Sequence, residues 1–126
     1  LPNMADSRPS RRLPRSARLQ RGRDFLEVRR DGQRLVCGCL IANWKALSPG
    51  ANSRAGFVTS RKIGSAVVRN RARRLLREAF RLHQHELRQP LTAVLVARQS
   101  IAGKRLADVE RDFLLAMRRG RMLKEP

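Results

Sequence analysis

Between residues 61 and 90 the chain places Val68, Ala72, Leu75, Leu76, Ala79 and His83 at i, i+4, i+7, i+8, i+11 and i+15. That spacing lines one side of a helix for burial. Arg69, Asn70, Arg73, Arg74, Arg77 and Arg81 gather mainly on the other side, where only Phe80 interrupts them and Glu78 stands at i+4 from Arg74. The pattern predicts one long helix ended by Pro90, with a core side and a guanidinium side.

The rest of the pattern surrounds that helix. Arg23 to Arg30 reads as a short helix carrying Phe25, Leu26 and Val28 and stopped by Asp31 and Gly32. Arg34 to Trp44 is rich in β-formers with Gly38 in its middle, so two short strands or one bulged strand are expected. Lys45 to Arg54 reads as a loop, Ala55 to Ser60 as a strand, and Arg61 to Gly64 as a turn. Leu91 to Arg98 is a continuous apolar run of the kind a central strand needs. Lys104 to Arg119 closes the pattern as a helix with Leu106, Val109, Phe113, Leu114 and Met117 inward. The order predicts an α+β sandwich with a small sheet covered mainly on one side. A strand, the long helix and another strand in succession suggest a βαβ crossover, right-handed by the general rule.

With 126 residues the chain is the size of one domain. The expected division is a flexible basic arm over residues 1–20, one domain over 21–119 and a tail over 120–126. The arm is rich in Arg, Ser and Pro. Leu1 to Asn3 precede Met4 and are read as an expression remnant. No run of about 18 apolar residues occurs and nothing resembles a signal peptide, so a cytoplasmic protein without a membrane partner is expected.

Charge narrows the function. Lysine and arginine total 29 against 10 acids, a formal net charge of +19, and only four of the 29 are lysine. Such self-repulsion calls for an anionic partner, and the planar arginine fork bridges phosphate oxygens or stacks on bases. Nucleic acid is the expected partner. A helix this uniformly basic suits backbone contacts better than the base-edge reading a DNA-recognition helix needs.

Other chemistries fit poorly. Cys37 and Cys39 with His83 and His85 lack the ligand spacing of a structural zinc site, and histidines at i and i+2 on a helix point apart. Two buried cysteines and a solvated histidine are expected instead, with no disulfide between Cys37 and Cys39. No nucleophile, base and acid grouping is evident, so no protein-based catalysis is expected.

The run Arg61-Lys62-Ile63-Gly64-Ser65-Ala66-Val67-Val68-Arg69-Asn70-Arg71-Ala72-Arg73-Arg74-Leu75-Leu76-Arg77-Glu78 resembles the signature of the bacterial ribonuclease P protein component. Phe25, Val28 and Gly32 resemble that family's first helix and its stop, and the strand ending in Arg98 also fits, so the resemblance spans roughly Leu19 to Arg119. It implies a two-layer αβββαβα fold of the ribosomal protein S5 domain 2-like type. The small mixed sheet would have a left-handed βαβ crossover carrying the basic helix, against the general rule. It implies the protein subunit of a ribonucleoprotein whose RNA subunit holds the catalytic centre and removes the 5′ leader of precursor tRNA. Mg²⁺ would be held by that RNA and substrate, not by a dedicated protein site. No obligate protein partner is implied.

By position, Arg61, Lys62, Arg69, Asn70, Arg71, Arg73, Arg74 and Arg77 would contact the RNA subunit, and Phe25 would offer a stacking face to the leader. Family members commonly place an aromatic just after the valine, where this chain has Arg29. Arg29 and Trp44, the only tryptophan, are therefore further candidates for the leader cleft. The alternative is a small basic ribosomal or RNA-chaperone protein, which would bind structured RNAs without discrimination.

Overall fold

The structure, a computed structural model, describes Arg18 and residues 22–125. The elements are α1 (Gly22–Asp31), β1 (Gln33–Cys37), β2 (Leu40–Ala46), β3 (Arg54–Val58), α2 (Ala66–His83), β4 (Leu91–Ala97) and α3 (Leu106–Arg119). The strands form one mixed sheet in the order β1-β2-β4-β3, antiparallel except that β3 and β4 run parallel. Helix α2 is the crossover between those two parallel neighbours. The basic arm expected over residues 1–20 lies outside the described residues except for Arg18, which forms a parallel bridge to Ala55.

Alternation along the strands divides the sheet into two faces. Leu40, Ala42, Trp44, Ala55, Leu91, Ala93, Leu95 and Ala97 join Ala72, Leu76, Phe80, Val109, Phe113 and Met117 in the main core, beneath α2 and α3. On the other face Val28 of α1 packs on Val94, flanked by Phe25, Val58 and Val96. The sheet is thus covered by two helices on one face and by a single short helix on the other.

Of the two expected forms, two short strands or one bulged strand, the structure has the two strands, paired as a hairpin. Gly38 has φ 55°, and a Cβ there would stand 2.2 Å from Oδ2 of Asp112. That carboxylate, buried on α3, accepts a hydrogen bond from the Cys39 amide at 2.9 Å. A turn of the sheet is therefore fastened to a helix by a side chain that only glycine leaves room for.

Two expectations for α2 need correction. Phe80 does not interrupt the polar side: it is fully buried, edge-on to Phe57 at 6.3 Å and to Phe113 at 6.1 Å between ring centroids. The helix also ends at His83, before a short 3₁₀ turn over Gln84–Glu86, rather than continuing to Pro90. His85 is the exposed histidine, whereas His83 is partly buried, as its place on the apolar side predicts. Its Nδ1 meets Glu86 and its Nε2 lies 2.7 Å from Oε1 of Glu110, which ties the end of α2 to α3.

The expected C-terminal tail is held in place over its described residues. Met122 is buried, Leu123 bridges Leu87, and the Lys124 amide donates to the Glu86 carbonyl at 2.9 Å. Both cysteines are free and buried, as expected. Burial, with the nearby Asp112 carboxylate, pushes the Cys39 thiol up to about 12, so it stays protonated and unreactive.

Candidate nucleic-acid interface

The basic face begins before α2. Arg61–Ile63 forms a 3₁₀ turn in which Ile63 is buried, anchoring the turn while Arg61 and Lys62 stay exposed. Gly64 follows at φ 146°, where a Cβ would press on Val68 at 3.2 Å. Ser65 then caps the helix, its hydroxyl accepting from the Val68 amide at 3.4 Å. The first turn of α2 contains no acid. Its free amides and dipole therefore add to the positive field of the arginines that follow.

Along α2, Asn70, Arg71 and Arg74 are exposed, and Arg69, Arg73 and Arg77 are partly so. Arg73 donates to Oγ1 of Thr59 at 2.7 Å and also to Asn70, so its guanidinium is held in place at the end of β3. Arg71 reaches sideways to the Lys104 carbonyl at 2.8 Å. Arg77 lies over the Phe57 ring, 5.9 Å from its centroid. Burial, then repulsion from Arg18, Arg73 and Arg74, lowers its pKa, which marks four guanidinium groups crowded into one region.

Glu78 does not relieve that crowding. It pairs with Arg81 at 2.6 Å, not with Arg74, and the pairing holds its carboxyl below the usual range. The acid nearest the cluster is thus committed one turn further along, leaving Arg73, Arg74 and Arg77 without an ion pair among the described residues. The sequence pattern marks Arg18 only as part of the arm. Its place beside Arg77 depends on the bridge to Ala55, a long-range pairing that no local pattern announces.

The second part of the site is the other face of the sheet. The registers align Val36, Ile41, Val96 and Val58 in one row across all four strands. These four keep partial exposure, while Asn43 and Val94 of the adjacent row are buried. The result is an apolar strip beside α1, with half-buried Phe25 packed along it and Arg29 exposed one turn further on α1. Lys45 fastens α1 to β2 through Glu27 at 2.8 Å.

Trp44 is not part of this strip. It is 3% exposed on the opposite face, where a Cβ at Gly120 would stand 2.3 Å from its ring. Strand alternation sends it inward with Leu40 and Ala42, so, contrary to expectation, Trp44 does not line a cleft beside α1.

The comparisons with known proteins agree with this architecture. The family model described as Ribonuclease P matches residues 13–120. The Ribonuclease P protein component of Syntrophomonas wolfei is 36% identical over 109 residues, covering 85% of this chain and 89% of the relative. That of Desulfovibrio desulfuricans is 40% identical over 100 residues, covering 79% and 76%. The RNase P protein from Thermotoga maritima superposes with a TM-score of 0.70 at 27% identity, covering 81% of this chain and 96% of that one. The Staphylococcus aureus RNase P protein shares the fold, with a TM-score of 0.75 at 19% identity, covering 86% and 98%. The family match, the relatives and the mixed four-stranded sheet with its basic crossover helix agree: the chain belongs to the bacterial ribonuclease P protein components, RNA-binding parts of an endoribonuclease of tRNA processing.

Proposed function

We propose that this chain binds the catalytic RNA subunit of ribonuclease P through α2 and the 5′ leader of precursor tRNA through the strip beside α1, assisting removal of the leader. The observation that carries the proposal is the crowded, uncompensated guanidinium group formed by Arg73, Arg74 and Arg77 beyond an acid-free helix start. A polyanion relieves that repulsion, and each phosphate contact releases counterions. Arg61, Lys62, Arg69, Asn70 and Arg71 extend the same surface. The RNA backbone supplies its ligands, so the contact positions the RNA rather than reading its sequence.

On the other face, Phe25 and Arg29 receive the single-stranded leader. A half-buried phenylalanine on an aliphatic floor offers one ring edge or face to a base, and the neighbouring guanidinium adds stacking and phosphate pairing. Arg18, bridged to Ala55 and close to Arg77, adds its charge to the α2 surface.

Mg²⁺ is assigned to the RNA and substrate, where it would activate water and stabilise the leaving oxygen. Mg²⁺ takes oxygen ligands, and the one acid on the guanidinium side of α2, Glu78, is committed to Arg81. The protein's part is to neutralise phosphates, so that the RNA assembles with fewer metal ions, and to hold the leader. We place this activity in the cytoplasm.

Reconstitution tests the proposal. A bacterial ribonuclease P RNA at low Mg²⁺ gains leader cleavage when the protein is added. No gain, together with equally tight binding to unrelated structured RNAs, would instead identify a general RNA-binding protein.

A further inference from the structure

A second concentration of positive charge lies beyond the far end of α2. With 18 residues, the helix is about 27 Å long, and the residues of this second group lie past its C-terminal end, in the α2–β4 connection and at the end of α3. Here Arg88, Arg118, Arg121 and Lys124 line an open concavity of about 1020 Å³. None of the four has a carboxylate partner in an ion pair among the described residues. Of the two acids at its wall, Glu86 is taken up by His83, and Glu125 stands exposed near the end of the chain.

The concavity is ordered in advance by the fold. Arg121 has φ 58°, the only non-glycine residue in the left-handed region among the described residues. That turn reverses the chain after α3, buries Met122 and aligns Lys124 with Glu86. The Arg88 side chain donates to the Arg121 carbonyl, which joins the α2–β4 connection to the reversed segment. Arg118 completes the last turn of α3 and complements its dipole. The dipole does not account for Arg88, Arg121 and Lys124, which come from two other stretches of chain and converge on the same hollow.

We propose that this concavity is a second phosphate-binding surface for RNA, separate from α2 and from the strip beside α1. It rests on the RNA-binding reading given above and extends it past the C-terminal end of α2. A polyanion fits because four cations with no bound counter-charge meet in a hollow whose backbone is already fixed, so binding orders little besides side chains. Two RNA sources offer the same phosphates: the RNA subunit itself and the precursor tRNA lying on the assembled particle.

The test compares the protein with Arg118→Gln/Lys124→Gln and, separately, with Arg73→Ala/Arg77→Ala, measuring affinity against salt concentration for each RNA. The expected result is a shallower slope for the first variant, by about one unit per lost phosphate contact. Appearance of this loss with the RNA subunit alone assigns the surface to that RNA, and its appearance only with precursor tRNA on the assembled particle assigns it to substrate. An unchanged slope for the first variant alongside a reduced slope for the second overturns this inference and leaves the function of α2 intact. Unchanged slopes for both overturn the two together. In the unaltered protein, RNA should also protect Lys124 from an amine-reactive reagent, and equal labelling with and without RNA contradicts the proposal.

Discussion

The ring of Phe80 stands edge-on to that of Phe113, 6.1 Å between centroids and inclined by 74°, and so joins α2 to α3 at the centre of the main core. Both rings are fully buried. Truncation at this point removes the transfer energy of a large side chain and leaves a hole flanked by Phe57. Phe80→Ala is therefore expected to cost about 3 to 5 kcal/mol in denaturant unfolding. A loss under about 1 kcal/mol would place Phe80 on the outer side of the helix.

His83 makes stability depend on pH. Burial lowers its pKa, but Glu86 and Glu110 outweigh that, and the net shift is upward from 6.5. A raised folded value means that this contribution is fully present below 6.5, the unfolded value, and is lost as pH rises through the folded value. The difference in melting temperature between the protein and His83→Gln should shrink as pH is raised from below that value. A constant difference would show that the imidazolium is not paired in the folded state.

Gly38→Ala should destabilise the hairpin by about 2 to 4 kcal/mol, combining left-handed strain with displacement of the buried Asp112 carboxylate. The Cβ would otherwise lie 2.2 Å from that oxygen. Asp112→Ala in the same background should then cost little further, which a double-mutant cycle in urea reads directly.

Phe25 and Trp44 separate leader binding from core packing. Phe25→Ala should weaken binding of leader-bearing substrate by about 1 to 3 kcal/mol and leave mature tRNA binding unchanged. Trp44→Leu should lower the melting temperature and leave the leader contribution intact, since its ring lies on the other face of the sheet. Equal losses for both tRNAs in Phe25→Ala would return that ring to a purely structural role.

The helical intervals of α2 and α3 and the apolar run of β4 made the layers legible, because burial on one side imposes a period that survives in sequence. The same period contained Phe80, at i+4 from Leu76 and i+8 from Ala72, although its neighbours Arg77 and Arg81 made it look like part of the polar side. Trp44 was legible in part. Alternation sets it with Leu40 and Ala42, but local pattern does not tell which face of a strand a lone helix will cover. The helix end at His83 and the place of Arg18 were not legible at all, since beyond His83 the backbone pairs with the distant residues Met122 to Lys124 and Arg18 rests on a bridge to β3. The arginine run itself was clear, whereas its lack of compensation was settled only by the choice of Glu78 for Arg81 over Arg74.

The claim that α2 carries the RNA contact is tested most directly by the salt dependence of affinity for the ribonuclease P RNA subunit. In Arg73→Ala/Arg77→Ala the plot of log affinity against log salt should become shallower by about two units, one for each lost phosphate contact, with weaker binding at every salt concentration. An unchanged slope and affinity in a folded double variant would contradict the account.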